Sequence, residues 1–198
     1  MSKADRTKAF IVEKTAPLFN EKGFAGTSLS DISEVTGLTK GGIYANFKDK
    51  NEVAIAVFEH NWATLRHLIN ESMRHVPTVF EKLMVYPQVY EKILKDPVLR
   101  FGCPILNTAT ESDDTHPELR KCAETAMVQW RNGLKQLIEQ GISQRELRED
   151  IDADDTAFIM IAMIEGSIMM SKLSGKSRDR QRTRQAIERY IKTLQSLS

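Results

Sequence analysis

The sequence has very little cysteine and lacks several features that mark specialised classes of protein. Cys103 and Cys122 are its only cysteines in 198 residues, and they form no Cys-x-x-Cys pair. A disulfide framework and a cysteine-based metal site are therefore excluded. No run of residues approaches the apolar length of a membrane helix, and the N-terminus lacks a signal-peptide core. We therefore expect a cytoplasmic protein with no membrane partner.

A large excess of one charge is also missing. The formal net charge is only +1, which by itself does not indicate a protein that binds a polyanion. Residues 1–50 carry a modest excess of lysine and arginine over acidic residues. We therefore expect any affinity of this segment for DNA to depend on geometry and dimerisation as well as on charge.

Residues 27–50 have the pattern of a helix-turn-helix. Ser28 is placed to cap a short first helix, with Asp31 at the position of a capping-box acid. Gly37 supplies the tight turn, and Thr39 then caps a second helix. The expected inward positions of the two helices are Leu29, Ile32, Val35, Leu38 and Ile43. The segment therefore predicts a protein that reads DNA.

The second of these helices has two glycines in its first turn, Gly41 and Gly42, after Lys40. Glycine in a first helical turn lowers helix propensity, so another requirement must favour it there. A close approach of the backbone to a phosphate or a base edge is such a requirement, because a Cβ atom would obstruct it.

The same segment resembles the N-terminal motif of the TetR family of bacterial transcriptional regulators. The residues that match this motif are Ile32, Gly37, Leu38, Gly41, Tyr44, Phe47 and Lys50. Ser33, Asn46 and Val53 depart from it, and Asn46 is the departure that we expect to alter a DNA contact. The resemblance implies a dimer made by the last two helices, a ligand cavity enclosed by the intervening helices, and repression relieved by a small-molecule effector.

The rest of the chain reads as helices separated by proline and glycine, without strand patterns or repeats. The predicted helices are 51–75, 78–95 with a break or kink near Pro87, a short piece after Pro104, 117–141, 152–173 and one from about 177. We therefore expect an all-α fold. An N-terminal three-helix helix-turn-helix DNA-binding domain spans 1–50, and a C-terminal helical domain for effector binding and dimerisation spans 51–198.

The helix predicted over 152–173 is apolar nearly all round, so it must be buried on more than one side. It and the last helix can pair with their copies in a second subunit as a four-helix bundle, which gives a homodimer. Two reading heads then favour a roughly palindromic operator in double-stranded DNA, with the recognition helices on the order of 34–36 Å apart, or further if the DNA is unwound.

Candidate DNA-binding residues all lie within this segment: Ser28, Thr39, Lys40, Gly41, Gly42, Tyr44, Asn46 and Lys50. We expect Lys40 near the start of the recognition helix, Tyr44 at a phosphate or base, and Lys50 at a phosphate. The two hydroxyl residues are expected to hold phosphates. The alternatives stay open: hydroxyls that only cap helices, a tyrosine packed on Phe47, and lysines that are merely solvated.

Candidate ligand-binding residues are apolar or aromatic: Phe58, Trp62, Phe80, Tyr86, Tyr90, Phe101, Cys103, Met127 and Trp130. Ordinary core packing is the more frequent role of such side chains. A flat or hydrophobic effector suits them, because tryptophan and tyrosine carry polar atoms and methionine adapts to apolar ligands. Cys103 precedes Pro104 at a predicted helix start, where a thiolate could sense electrophiles or oxidants. The alternative, a small buried side chain, is favoured.

The leading functional hypothesis is a ligand-responsive repressor without a cofactor. The alternatives are an activator or a constitutive DNA-binding protein that has no effector. An enzyme using Cys103 or the acids Glu111, Asp113 and Asp114 is far behind, because the sequence has no Ser-His-Asp order, phosphate-binding loop or metal set.

Overall fold

The computed structural model describes residues 2–93, 96, 99–112 and 116–196. In this part of the chain the regular secondary structure consists of helices joined by turns and loops. It includes one isolated bridge between Leu147 and Gln195 and no strand. The helices are α1 Lys3–Lys22, α2 Leu29–Thr36, α3 Lys40–Tyr44, α4 Lys50–Met73, α5 Val79–Ile93, α6 Pro104–Ser112, α7 Pro117–Ser143, α8 Ala153–Ser174 and α9 Ser177–Thr193. The predicted all-α fold is confirmed.

The prolines divide the chain much as expected, with one difference. Pro104 and Pro117 are the first residues of α6 and α7, where the missing N–H donor costs nothing. Pro87 does not break α5, which continues through it to Ile93. The two carboxylates Asp113 and Asp114, considered for an enzyme, lie outside the described residues.

The chain divides into two compact units. The first contains Met1–Leu65 with Lys95–Thr125, and the second contains Arg66–Leu94 with Ala126–Ser198. This division differs from the predicted boundary between residues 50 and 51, because residues 51–65 and 95–125 also belong to the first unit. The assignment of 1–50 and 51–198 to separate functions stays a prediction.

In the first unit, α1, α2, α3 and the first half of α4 share one core. Its fully buried side chains include Ile11, Ile32, Ile43 and Val53, each 0% exposed. A polar contact adds to this core, since the Asn61 Nδ2 group donates to the Ala16 carbonyl at 3.2 Å. The core fixes the position of the short helices α2 and α3, which are too short to be stable alone.

In the second unit, α8 packs against α9 and α5 but buries only part of its surface. Met160, Ile164 and Ile168 of α8 are buried within the chain. Five other large apolar side chains of α8 are exposed, by 58% for Phe158, 42% for Ile159, 51% for Met169, 56% for Met170 and 82% for Leu173. Much of this apolar face of α8 is therefore exposed in the described part of the chain, with the Arg131 guanidinium 5.4 Å from the centroid of the Phe158 ring.

The same helix corrects an expectation about membranes. α8 has 22 residues, and by length and composition alone it is apolar enough to cross a membrane. The expectation that no segment approaches this length was therefore wrong. Core helices of globular proteins can have the same length and composition, and 44% of the apolar stretch of α8 is buried inside the chain.

Candidate DNA-binding site

The first helix of the predicted helix-turn-helix is fixed by its capping box. The Ser28 Oγ atom accepts from the Asp31 N–H at 3.1 Å, and the Asp31 carboxylate accepts from the Ser28 N–H at 2.7 Å. The Lys22 ammonium at 2.8 Å, helped by hydrogen bonds from Ser28, holds the pKa of the Asp31 carboxyl well below its usual range. The resulting stabilisation is present above the unfolded pKa and is lost only as the pH falls through this lowered value.

The buried side of α2 differs from the predicted one at a single position. Ile32 is fully buried, as expected, but Val35 is 40% exposed and Thr36 is buried in its place. The reason is that the core-facing line of this short helix runs from residue 32 to residue 36, one helical turn apart. The Thr36 hydroxyl donates to the Ile32 carbonyl at 2.7 Å, so its burial leaves no unpaired donor.

The turn into the second helix is made by glycine. Gly37 has φ +69° and ψ 9°, a left-handed conformation, and its N–H donates to the Ser33 carbonyl at 2.8 Å. Thr39 then caps α3, because its Oγ1 atom accepts from the Gly42 N–H at 3.1 Å. This hydrogen bond confirms the predicted cap. A phosphate contact by the Ser28 or Thr39 hydroxyl stays a prediction.

Helix α3 is anchored on one side and open on the other. Ile43 is fully buried, whereas Lys40 and Gly41 are exposed and Gly42 is half-buried. An added Cβ atom would meet nothing nearer than 3.9 Å at Gly41 and 3.5 Å at Gly42. The protein's own packing therefore does not require glycine at either position. Glycine at these positions is therefore favoured either by a contact with a molecule outside the chain or by descent from an ancestral sequence that carried the motif.

The aromatic pair that follows α3 separates into one buried and one exposed ring. Phe47 is 3% exposed and Tyr44 is 44% exposed. Part of the Tyr44 ring is therefore accessible to a partner, while the alternative that it packs on Phe47 stays open. Asn46 is half-buried, and its Nδ2 group donates to the Gly42 carbonyl at 2.9 Å. That amide N–H helps to end α3, while a DNA contact by Asn46 stays a prediction.

Lys50 has partners that the sequence did not indicate. Its ammonium donates to the Phe24 carbonyl at 2.8 Å and to the Thr27 carbonyl at 3.0 Å, and it lies 3.9 Å from the centroid of the Phe24 ring. Lys50 therefore holds the loop between α1 and α2, a role that the prediction of a phosphate contact omitted. An ammonium has three N–H donors, so only one is left for DNA.

The sequence also gave no sign of the part that α6 has at this loop. Glu111 of α6 accepts hydrogen bonds from the Phe24 and Ala25 N–H groups at 2.8 and 2.7 Å. Glu111 had been considered only as a possible acid of an enzyme. The only local signal was Gly23. It has a left-handed φ of +71°, and its lack of a Cβ atom leaves room for the Glu111 carboxylate.

Comparison with known proteins agrees with this geometry. The family described as "Bacterial regulatory proteins, tetR family" matches residues 11–57, which include α2 and α3. The family described as "Tetracyclin repressor-like, C-terminal domain" matches residues 79–187, more than half of the chain. The chain belongs to the TetR family of transcriptional regulators. It is a DNA-binding regulator and not an enzyme.

Individual relatives cover most of this TetR-family chain. A solved TetR-family regulator from Cytophaga hutchinsonii is 40% identical with a TM-score of 0.92, and the match covers 100% of this chain and 99% of that one. The HTH-type transcriptional regulator TtgR of Pseudomonas putida is 30% identical over 83% of this chain and 80% of its own length. The HTH-type transcriptional repressor DhaR of Mycobacterium sp. is 25% identical over 91% of this chain and 86% of its own.

The candidate effector residues of this TetR-family protein divide between the two units. Phe58, Trp62, Phe101 and Cys103 belong to the first unit, and Phe80, Tyr86, Tyr90, Met127 and Trp130 belong to the second. Most of these side chains are buried, with Phe80, Phe101 and Met127 half-buried. Tyr90 and Trp130 stack with their ring centroids 5.5 Å apart. No finding tests their contact with an effector, which stays a prediction.

Cys103 is fully buried. Its burial confirms the favoured interpretation of a small core side chain, since a thiol that senses electrophiles must be accessible to them. Cys122 is half-buried, and burial together with the Glu59 and Glu118 carboxylates raises the pKa of its thiol. Among the described residues, no group of three or more His, Cys, Asp or Glu side chains is arranged to hold a metal ion.

The two lysines among the candidate DNA-binding residues, Lys40 and Lys50, are expected to respond differently to substitution. Lys40→Ala removes an exposed cation at the start of α3, so the slope of log Kd against log salt should decrease by about 1. Lys50→Ala removes the bonds to the Phe24 and Thr27 carbonyls, so it should lower the melting temperature of the first unit. Salt-titrated DNA binding and thermal unfolding measure the two effects. A larger change of slope for Lys50→Ala than for Lys40→Ala would contradict this assignment.

Proposed function

We propose that the protein is a ligand-responsive repressor that binds a palindromic operator as a homodimer and is released by a small hydrophobic effector. The observation that carries the proposal is the open side of α3. Lys40, Gly41 and Tyr44 are exposed there on a helix that Ile43 anchors from behind. We place the protein in the cytoplasm, where an operator is accessible. The similarity to DhaR, a transcriptional repressor, supports the negative sign of regulation.

The dimer is supported by the exposed apolar face of α8. Phe158, Ile159, Met169, Met170 and Leu173 are each exposed by between 42% and 82%. A contiguous apolar patch of this kind on a helix is typical of a surface that another subunit covers. Pairing of α8 and α9 with their copies would bury it and hold two copies of α3 at a fixed separation.

A hydrophobic, partly aromatic effector is supported by the rings of the second unit. Tyr90 and Trp130 are 4% and 5% exposed and lie with their ring planes 18° apart. Tyr86 is also buried, and burial raises the pKa of its phenol further above physiological pH, where a phenol is neutral in any case. Neutral rings favour an uncharged flat ligand that stacks on them or displaces them.

One experiment tests the sign of regulation and the operator together. Fragments of the host genome are selected by the purified protein, and transcription from the bound promoter is compared with and without its gene. We expect a roughly palindromic fragment and higher transcription in the deletion strain. Lower transcription in that strain would favour an activator.

A panel of neutral aromatic compounds is then screened for release of the selected fragment and quenching of tryptophan fluorescence. Failure of every compound would count against a hydrophobic effector.

A further inference from the structure

The loop between α1 and α2 is held from two sides by residues that lie outside it. Glu111 of α6 accepts from the Phe24 N–H at 2.8 Å through Oε2 and from the Ala25 N–H at 2.7 Å through Oε1. Lys50 of α4 donates to the carbonyls of Phe24 and Thr27. The loop amides are therefore bound by one helix and the loop carbonyls by another.

Gly23 makes the approach of the carboxylate feasible. A Cβ atom at this position would lie 2.3 Å from the Glu111 Oε2 atom, so the carboxylate would have to move away from its present place beside the loop amides. Its φ of +71° is also a conformation that glycine adopts at low cost. The glycine and the carboxylate are therefore complementary, although 88 positions of sequence numbering separate residue 23 from residue 111.

Helix α6 itself is tied to the end of α1. The Asn107 Nδ2 group donates to the Asn20 Oδ1 atom at 2.9 Å and to the Asn20 carbonyl at 3.2 Å. The Asn20 Nδ2 group in turn donates to the Gly102 carbonyl at 3.2 Å. These bonds fix the helix that carries Glu111 relative to the residues that enter the loop.

The start of α7 contacts the same loop. The His116 ring packs edge-on against the Phe24 ring, with centroids 4.4 Å apart and planes at 77°. The His116 Nδ1 atom accepts from the Leu119 N–H at 3.2 Å, which orients the imidazole as it caps α7. The Phe24 ring is therefore contacted both by the His116 ring and by the Lys50 ammonium, which lies 3.9 Å from the centroid of the Phe24 ring.

We propose that Glu111, a residue of α6 far from the helix-turn-helix in sequence, is a positioning residue for DNA binding. The loop that it holds leads to Ser28, whose capping box begins α2, so the carboxylate helps to set the position from which α2 and α3 are presented. Loss of its two hydrogen bonds leaves the loop amides to other partners and releases the N-terminal end of α2. Its effect on DNA is indirect, through Phe24 and Ala25.

The test separates the reach of the side chain from its charge. Glu111→Asp keeps the negative charge but is one methylene too short to bond both amides, and Glu111→Gln keeps the length but loses the charge and one acceptor. The matched control is Glu13→Gln, which removes an exposed carboxylate of α1 in the same unit. The probe is a duplex that the wild-type protein selects from a random-sequence library. This selection tests sequence-specific binding separately from the role of Glu111.

We expect both Glu111 variants to bind the selected duplex more weakly, on the order of tenfold, because charge-assisted hydrogen bonds to backbone amides are lost. The slope of log Kd against log salt should stay at the wild-type value, since Glu111 contacts no phosphate. Glu13→Gln should bind equally or slightly more tightly, because a negative charge that repels DNA is gone.

Hydrogen exchange provides the readout that a general loss of stability would not reproduce. In both Glu111 variants the Phe24 and Ala25 amides should exchange faster, while amides of α7 keep their wild-type protection. Wild-type affinity of Glu111→Asp would overturn the proposal. Tighter DNA binding by Glu111→Gln would also overturn the proposal, since removal of the negative charge would then be the only effect of the substitution on affinity. If Glu111→Gln does not fold, the shorter variant, which keeps the charge, decides between the two outcomes.

Discussion

A chain carrying Phe158→Glu and Met170→Glu is expected to be a monomer and to lose most of its affinity for operator DNA. Both side chains are more than half exposed within one chain, at 58% and 56%, so the substitutions leave its own core intact. In a two-fold dimer, however, they would bring like charges together in a desolvated apolar interface. Sedimentation equilibrium at micromolar concentrations measures the change of mass.

The loss of affinity follows from the linkage of the two reading heads. When the heads are joined, binding of the second half-site is intramolecular, and separating them weakens binding by on the order of 10²–10⁴-fold. This is the largest effect that we expect from any substitution on the protein surface. It should appear on a palindromic duplex and be much smaller on a duplex that carries one half-site.

The control for the double variant is Val128→Glu. Val128 is an exposed apolar residue of α7 in the same unit, 52% exposed, and lies outside α8 and α9. It should leave the dimer and the DNA affinity unchanged. A double variant that stays dimeric would place the subunit interface away from this face of α8. A monomeric variant with wild-type affinity would show that one head suffices.

Features set by neighbouring residues were predicted well from the sequence. The capping box of Ser28 and Asp31 and the glycine turn at Gly37 depend on spacings of a few residues, so the pattern contains all that is needed. The same holds for the first residues of α6 and α7, where proline marks a helix start. The all-α fold and the family followed from such local signals.

Features set by distant residues were not predicted. Glu111 meets the loop at Phe24 across a sequence separation of 87 residues, and Lys50 meets it across 26. No periodicity or spacing encodes such a pair, because each partner is also suited to solvent. The sequence therefore identified Lys50 as part of a motif but assigned it only to DNA.

The burial of apolar residues was predicted only in part from the sequence. The sequence correctly gave Ile32 and Ile43 as core, but it also gave Val35, which is 40% exposed. A helix as short as α2 has too few apolar positions to define its buried side, so the tertiary contacts decide it. The ligand-binding residues have the same difficulty, because core and pocket share one pattern of apolar spacing.

The glycines of α3 give the second large effect, in which stability and DNA binding are expected to change in opposite directions. Gly41→Ala and Gly42→Ala should each raise the free energy of unfolding, by up to about 1 kcal/mol, because alanine favours the helix. The added Cβ atoms meet only ordinary contacts at 3.5 Å or more within the chain. DNA binding should nevertheless weaken by on the order of tenfold to a hundredfold, since contacts worth about 1–3 kcal/mol are displaced.

Gly133→Ala supplies the control for this pair. Gly133 is an exposed glycine inside α7, and a Cβ atom there meets nothing within 4 Å. It should stabilise the protein in the same way and leave DNA binding unchanged, so a rise in stability alone is not the cause of weaker binding. Thermal unfolding and a titration of operator duplex measure both quantities for all three variants. If Gly41→Ala and Gly42→Ala bound DNA as tightly as Gly133→Ala, close approach of the α3 backbone to DNA would be refuted. The glycines would then need another physical explanation, because the packing of the chain does not supply one.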